Sequence, residues 1–246
     1  MTDDVIGLIP VRLESTRLPG KALLPIKGIP AVLHTYRRAK LSKKLADVIL
    51  CTDSMEIYSS LKKYDVKIEI TEDHINGSER IHEVAKKYNF KNVLNIQGDE
   101  ILVNPDHIDK MVDVMKRDNN NFFIGITEFN KSGEKNTFKA VMNSKDEMLF
   151  CTREDIPSPS ITNINNYEKV VFLVGYKNYS LNQFIDWGEC SLERREPNEF
   201  LRILYHDEKI KAVKLRNAEI SLDTSADLDT IKQLAESDPF IHLYID

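Results

Sequence analysis

Residues 9–30 read IPVRLESTRLPGKALLPIKGIP, and they join a short apolar run to the start of a helical pattern through a basic loop. Three cationic side chains are concentrated in this loop: Arg12, Arg17 and Lys21. Guanidinium groups can chelate phosphate oxygens, and an ammonium acts on them as a point charge. Gly20 would let the backbone approach a ligand, and Ser15 and Thr16 offer hydroxyl donors. The stretch predicts a loop that binds a phosphate-bearing anion, with a solvated basic loop as the alternative.

Short apolar runs of strand length alternate with helical patterns over the first hundred residues. The predicted strands lie at 5–10, 47–51, 66–70 and 92–96. Apolar residues at helical spacing predict helices at 30–41, from 53–54 onward and at 77–88. This alternation is typical of an α/β fold with a mainly parallel central sheet.

Two loops are expected at the ligand-binding edge of this sheet. Ligands of such folds bind beyond the carboxyl ends of the strands. The loops at 12–21 and 97–100 follow the first and the fourth predicted strand, so both fall on that edge.

The second half of the chain is richer in strands and changes towards antiparallel pairing. Its predicted strands lie at 122–128, 138–143, 147–152 and 168–176. A polar stretch at 161–167 predicts a loop. The last part returns to a helix, a strand and a helix, predicted at 193–204, 210–222 and 224–236. With no internal repeat, we predict a single domain over 1–246.

Composition and charge exclude several classes of partner. The formal net charge is -5 and the isoelectric point is about 5.8, whereas nucleic-acid-binding domains are usually basic. No apolar run reaches the roughly 20 residues that span a bilayer, and the acidic start of the chain is unlike a signal peptide. The widely spaced Cys51, Cys151 and Cys190 are typical of reduced thiols. We therefore expect a cytoplasmic protein with neither a nucleic-acid nor a membrane partner.

Two aspartates are candidate metal ligands. The sequence NIQGDE ends the fourth predicted strand and places Asp99 at the ligand edge, where one or two carboxylates can hold Mg²⁺ together with substrate phosphates. A turn with Asp99 as a helix cap is the alternative. In ISLDTSADL, residues 220–228, Asp223 follows a short apolar run. A helix N-cap explains Asp223 equally well.

Three well-known motifs of nucleotide-binding and hydrolase sites do not occur in the sequence, which by itself leaves a Ser-His-Asp or Cys-His arrangement open. The chain contains no Gly-x-x-x-x-Gly-Lys-Ser/Thr loop, no dinucleotide-binding glycine pattern and no Gly-x-Ser-x-Gly elbow. The six histidines are scattered, and His34 and His242 fit structural or surface roles.

In order and spacing, these motifs resemble the 3-deoxy-manno-octulosonate (Kdo) cytidylyltransferases, and the resemblance runs nearly end to end. The segments that carry it are PVRLESTRLPGK at 10–21, CTD at 51–53, DHINGSER at 73–80, QGDE at 97–100 and LDTSADL at 222–228. Ile101 stands where the family has a proline after QGDE.

The resemblance implies a fold of nucleotidyltransferase type, an activity and a set of site residues. A sugar-acid hydroxyl would attack the α-phosphorus of CTP, and pyrophosphate would leave. Catalytic roles fall to Arg17, Lys21 and Asp99, and Mg²⁺ would be held by Asp99 and Asp223. The resemblance implies that CTP is bound by Pro10, Arg12, Ser15, Thr16, Gly77, Ser78, Arg80 and Gln97. Three of these residues, Gly77, Ser78 and Arg80, would read or support the cytosine base.

The resemblance also implies an acceptor site and a homodimer surface in the subregion at about 122–217. Its implied acceptor residues are Arg153, Tyr176, Glu199 and Phe200. Phe172 and Phe200 replace polar family residues, so CTP use is better supported than Kdo use. The acceptor is expected to be Kdo or a variant 3-deoxy-2-keto acid, and the product would enter lipopolysaccharide or capsule synthesis. Two alternatives stay open: a different anionic acceptor, such as a phosphonate or a sugar phosphate, or an inactive nucleotide-binding regulator.

Overall fold

The computed structural model describes residues 4–160, 166–217 and 220–245. Its strands, in chain order, are Val5–Pro10 (β1), Pro25–Ile26 (β2), Ile29–Pro30 (β3), Asp47–Thr52 (β4), Ile68–Ile70 (β5), Asn92–Ile96 (β6), Phe122–Phe129 (β7), Lys139–Met142 (β8), Met148–Thr152 (β9), Tyr167–Tyr176 (β10) and Ile210–Lys214 (β11). Most of the loop predicted at 161–167 lies outside the described residues.

Nine of these strands form one sheet. Along its main path the order is β11-β7-β10-β6-β1-β4-β5, and the β8–β9 hairpin joins it through β10. β1 pairs in parallel with both β4 and β6, and β4 pairs in parallel with β5. All six residues of β1 are buried, as expected of a strand covered on both faces. The predicted α/β class with a mainly parallel central sheet is confirmed.

Antiparallel pairing enters through β10, which lies between β6 and β7. A register shift between Val171 and Val174 interrupts the pairing of β10 with β7. Phe172 lies inside this irregularity and also accepts a hydrogen bond from the backbone of Gln97. Irregularities of this kind re-aim side chains next to functional sites.

Helices cover both faces of the sheet within the described ranges. They are Ala31–Lys40 (α1), Met55–Leu61 (α2), Gly77–Lys87 (α3), Pro105–Arg117 (α4), Ser180–Asp186 (α5), Ser191–Arg195 (α6), Leu201–Tyr205 (α7) and Ser225–Leu234 (α8). Short 3₁₀ turns lie at Lys21–Leu23, Lys62–Tyr64 and Ile241–Leu243. One core packs α3, α5 and α7 against the sheet, and another packs α1, α2 and α4 against the opposite face. None of the helices described is both long and apolar enough to cross a membrane.

The helix predicted at 193–204 is wrong, because the structure contains two short helices separated by residues 196–200. Pro197 explains the break, since proline has no backbone N–H and disfavours helical geometry in the residue before it. Glu196 is accordingly extended, with φ of -122° and ψ of 95°. The break leaves residues 197–200 free to reach the ligand edge of the sheet.

One further prediction needs correction, and two helices were missed. The strand predicted at 210–222 ends at Lys214, and α4 and α5 were not predicted.

The structural role expected for His34 agrees with its position: it is fully buried, and its Nδ1 lies 3.0 Å from the hydroxyl of Tyr244. Burial lowers the pKa of His34 to about 4, which keeps its ring neutral. His242, in contrast, is exposed.

Candidate active site

A cleft of about 580 Å³ opens beyond the carboxyl ends of β1 and β6. A volume of this size is typical of small-molecule sites. The basic loop, the QGDE loop and the segment before α8 all line it. The lining residues are Pro10, Val11, Arg12, Ser15, Thr16, Arg17, Lys21, Ala22, His74, Ile75, Asn76, Gly77, Arg80, Gln97, Gly98, Asp99, Ile101, Phe138, Phe172, Pro197, Asn198, Glu199, Phe200, Ser221, Leu222 and Asp223.

Close backbone approach brings these loops together. A Cβ atom on Gly98 would lie 2.8 Å from the carbonyl oxygen of Pro10, so only glycine fits at this contact. A Cβ atom on Gly77 would lie 3.0 Å from the ring of Pro10. The start of α3 and the loop after β6 therefore both pack on the end of β1.

Lys21 stands between the two candidate metal ligands. Its Nζ donates to Oδ2 of Asp99 at 2.6 Å and to Oδ1 of Asp223 at 3.2 Å, and also to the carbonyl of Leu222 at 2.9 Å. Nη2 of Arg17 lies 2.9 Å from the same Oδ1 of Asp223. Burial disfavours the charge on Lys21, but the two carboxylates outweigh it and raise the pKa of the ammonium above its ordinary value.

The helix-cap alternatives for the two aspartates do not hold. The N-cap of α8 is Thr224, which exchanges hydrogen bonds with Asp227 in a capping box. The N-cap of α4 is Asn104. Asp99 and Asp223 are thus left to make ion pairs in the cleft.

A second set of contacts ties the Asp99 loop to the Asp223 segment. The backbone N–H of Leu222 donates to the carbonyl of Asp99 at 2.9 Å, and the hydroxyl of Ser221 donates to the carboxyl of Glu100. Burial, reinforced by the charge of Asp99, raises the pKa of Glu100 to about 7. No site role was predicted for Ser221, although it lies in the motif at 220–228, because its role depends on contact with a residue 121 positions away.

The start of α3 contributes two kinds of residue. Gly77 and Arg80 line the cleft, and Nη2 of Arg80 lies 3.0 Å from the carboxylate of Asp53. Ser78 is fully buried and is not among the lining residues: its hydroxyl donates to Oε1 of Glu199 at 2.9 Å and lies 3.3 Å from the hydroxyl of Tyr176. That Ser78 reads a cytosine edge stays a prediction, and its hydroxyl is engaged here with Glu199.

The other end of the cleft is aromatic. The ring centroid of Phe172 lies 6.2 Å from that of Phe138 and 6.3 Å from that of Phe200. The guanidinium of Arg153 lies 3.9 Å above the ring of Phe138, and it donates to the carbonyl of Pro197 at 3.0 Å. Arg153 is outside the set of lining residues, and its guanidinium packs on Phe138 at this end of the cleft. We call Phe138, Phe172 and Phe200 the aromatic wall.

Glu199 lies beside the aromatic wall. It is partly buried, and burial raises its pKa to about 7. Its Oε2 is closed off from solvent and has no hydrogen-bond partner among the described residues. Tyr176 lies behind it, fully buried, where burial and the carboxyl of Glu199 raise the pKa of its phenol.

The known proteins that this chain resembles are cytidylyltransferases. The model of a family described as cytidylyltransferase matches residues 6–210. The 3-deoxy-manno-octulosonate cytidylyltransferase of Bdellovibrio bacteriovorus is 32% identical over 242 residues, which cover 95% of this chain and 98% of the relative. The protein of the same name from Koribacter versatilis is 32% identical over 240 residues, which cover 96% and 92%.

The chain belongs to the 3-deoxy-manno-octulosonate cytidylyltransferase family. It is therefore an enzyme of the nucleotidyltransferase class. A solved structure of CMP:2-keto-3-deoxy-manno-octonic acid synthetase complexed with CTP matches it with a TM-score of 0.90 at 28% identity, covering 95% of this chain and 98% of that one. A cytidylyltransferase from Leptospira borgpetersenii, at 19% identity and a TM-score of 0.65, shares the fold.

The carboxylates of this family member fit a divalent cation bound together with a nucleotide. Both Asp99 and Asp223 direct an oxygen at one cationic atom, Nζ of Lys21. Within the described ranges, no group of three or more acidic, histidine or cysteine side chains converges as a self-sufficient metal site. Two carboxylates suffice for Mg²⁺ when substrate phosphates complete its shell.

Sequence motifs located the charged end of the cleft but missed part of the aromatic end. Phe138 lies in the sequence NTFKAV, with no motif around it. Its position depends on the pairing of β8 with β10, which local sequence does not specify.

Proposed function

We propose that this enzyme transfers the cytidylyl group of CTP to a 3-deoxy-2-keto sugar acid, Kdo or a variant of it, and releases pyrophosphate. The observation that carries the proposal is the convergence of Lys21, Asp99 and Asp223 at the end of the sheet where the basic loop lies. Fixed cations beside a carboxylate pair suit phosphoryl-type transfer, which depends mostly on positioning and charge neutralisation.

Cations of the basic loop would hold the triphosphate. Arg12 lines the cleft and makes no ion pair with a carboxylate among the described residues, so its guanidinium is available to phosphate oxygens. Arg17 and Lys21 would exchange their carboxylate partners for phosphate oxygens when CTP binds. Ser15 and Thr16 line the same end and add hydroxyl donors.

Asp99 and Asp223 would then be free to hold Mg²⁺ together with the phosphates of CTP. Bound there, the ion supplies positive charge near the transferred group and lowers the pKa of the acceptor hydroxyl. The acceptor oxygen would form a bond to the α-phosphorus while the bond to pyrophosphate breaks. Arg17 and Lys21 would neutralise the charge that develops on the leaving group.

The cytosine base of CTP would lie near the start of α3. Gly77 offers backbone without a side chain, Gln97 lines the neighbouring strand end, and Arg80 is held in place by Asp53. This polar arrangement, together with the family resemblance, supports a preference for CTP over ATP and GTP.

The acceptor would occupy the cleft between the charged end and the aromatic wall. Glu199 and Phe200 line this part, whereas Tyr176 and Arg153 are outside the set of lining residues. A phosphonate or sugar phosphate acceptor is the alternative, but among the described residues that line the cleft, none at the aromatic wall is a lysine or arginine that could hold a second phosphate. A regulator without catalysis is disfavoured because Lys21, Asp99 and Asp223 are all in place.

A homodimer and a cytoplasmic location complete the proposal. Leu149 and Tyr205, both in the subregion at 122–217, are 58% and 51% exposed and offer apolar surface to a second copy. The three cysteines are free and buried, as expected of a protein in a reducing compartment. Sedimentation at micromolar concentration would test the dimer, and a stable monomer would contradict it.

Pyrophosphate release tests the function directly. The enzyme is mixed with Mg²⁺, with CTP, ATP or GTP, and with Kdo, other 3-deoxy-2-keto acids, phosphonates or sugar phosphates. We expect release only with a keto acid, and at least about tenfold faster with CTP than with either purine nucleotide. Release with phosphonates alone, or equal rates with all three nucleotides, would contradict the proposal.

A further inference from the structure

The aromatic wall forms one continuous apolar surface in a cleft that is otherwise polar. Phe200 is only 3% exposed and Phe138 only 8%, because both also pack into the core with Phe172 beside them. Their positions are thus fixed by packing before any ligand binds. Phe172 is further held by the backbone bond from Gln97. The wall is a preformed surface for part of a ligand.

Charge in the cleft is distributed unevenly. Its lining arginines and lysine belong to the basic loop and to the start of α3: Arg12, Arg17, Lys21 and Arg80. No lysine or arginine among the described residues lines the cleft at the aromatic wall. An acceptor carboxylate would therefore be drawn towards the basic loop, and the opposite edge of the acceptor would face the wall.

Two polar residues next to Phe200, Glu199 and Asn198, are already engaged or closed off. Oε1 of Glu199 accepts the hydroxyl of Ser78, and Oε2 is shielded from solvent. The side-chain amide of Asn198 donates to the sulfur of Cys151, and its oxygen accepts the backbone N–H of Phe200. A ligand hydroxyl placed against the three rings would lose water and gain no partner from Glu199 or Asn198, which is unfavourable.

We propose that Phe172 and Phe200 determine acceptor specificity by selecting a keto acid whose edge remote from the carboxylate is deoxygenated. The inference rests on the proposed function, since it concerns the acceptor of that reaction. A carbon that bears hydrogen or a methyl group in place of a hydroxyl packs against the wall without an unpaired polar atom. The fully hydroxylated Kdo is then the poorer substrate.

The test compares kcat/KM for Kdo with that for analogues lacking one side-chain hydroxyl, with CTP and Mg²⁺ saturating. For the wild-type enzyme we expect at least one deoxy analogue to exceed Kdo by about 10- to 200-fold, the range that a single apolar contact supplies. Phe200→Gln and Phe172→His, which offer hydrogen bonds to a hydroxyl, should reverse this preference through the acceptor KM. The KM for CTP should stay unchanged.

Two further variants separate specificity from folding. Phe200→Leu keeps an apolar side chain and should keep the preference for the deoxy analogue. Tyr88→Gln changes an exposed aromatic residue just after α3, outside the lining of the cleft, and should not alter the ratio.

The results distinguish failure of the specificity inference from failure of the proposed function. If Kdo is used as well as every deoxy analogue, and neither Phe200→Gln nor Phe172→His changes the ratio, the inference is overturned while the proposed function stands. If no keto acid releases pyrophosphate from CTP, the proposed function fails, and the inference fails with it.

Discussion

Different interactions hold the two ends of the cleft in shape: ion pairs at the charged end and core packing at the aromatic wall. At the charged end, the side chains of Lys21, Asp99 and Asp223 are 20%, 26% and 29% exposed and satisfy one another. At the aromatic wall, shape is fixed by core packing. Paired charges that are open to water can exchange partners when a ligand arrives, whereas packed rings cannot rearrange cheaply. The charged end is therefore suited to a charged part of a ligand, and the aromatic wall to a part whose shape and apolar surface match the rings.

The largest effect expected at the charged end comes from its carboxylates. Asp99→Asn or Asp223→Asn keeps the shape but removes a negative charge, so we expect kcat to fall by about 10²-fold or more. Steady-state kinetics across Mg²⁺ concentrations, with circular dichroism for folding, measure this. Asp229→Asn changes an exposed aspartate of α8 and serves as the control. Near-normal turnover of Asp223→Asn at limiting Mg²⁺ would remove Asp223 from the metal site.

Replacing the cation between these carboxylates should separate metal binding from catalysis. In Lys21→Met, Asp99 and Asp223 lose their shared partner, so Mn²⁺ should bind without nucleotide about tenfold more tightly, a change of about 1.4 kcal/mol. Turnover should nevertheless fall, since the leaving pyrophosphate loses a counter-charge. Electron paramagnetic resonance measures the concentration of free Mn²⁺, and the dissociation constant follows from a titration.

Lys40→Met is the matched control for that experiment, because Lys40 pairs with Asp47 at the surface, away from the cleft. Unchanged Mn²⁺ affinity in Lys21→Met would show that the ammonium does not compete for the place between the carboxylates.

A smaller effect is expected next to the aromatic wall, and it concerns stability. Burial raises the pKa of Glu199 from about 4.5 to about 7. Below pH 4.5 the group is protonated in both folded and unfolded chains. Between pH 4.5 and 7 the unfolded chain ionises first, so this group lowers the free energy of unfolding as pH rises, and the loss persists above pH 7.

Glu199→Gln does not titrate and should escape that loss. Relative to wild type, its free energy of unfolding should improve by about 1–3 kcal/mol between pH 4.5 and pH 8, as measured by urea denaturation. Glu189→Gln, at an exposed carboxylate, should show no such trend. A difference between Glu199→Gln and wild type that does not change with pH would mean that Glu199 ionises as freely in the folded enzyme as in water.

Local sequence was sufficient for the charged end, because its parts follow directly from strands. The apolar runs at 5–10 and 92–96 form β1 and β6, and the loops after them meet at the predicted edge. The roles of neighbouring residues were also readable: Thr224 and Asp227 have the spacing of a capping box, which leaves Asp223 free. Likewise, Asn104 followed by Pro105 marks the start of the unpredicted α4.

The aromatic wall could not be assembled from local sequence. Phe138 lies directly before β8, Phe172 lies in an irregularity of β10, and Phe200 lies in the break after Pro197. Only tertiary pairing brings these three segments together. Resemblance to a family identified two of the three positions, and the geometry added the third.

The interruption between α6 and α7 has a consequence for how this enzyme can diversify. Residues 196–200 connect two short helices outside the sheet, so changes there alter what the cleft accepts without disturbing the strands that carry the triphosphate loop. The sequence of this short connector could therefore diverge between lineages and yield enzymes that activate different sugar acids, while the nucleotide-binding site stays unchanged. The same separation makes the connector a practical target for designed libraries.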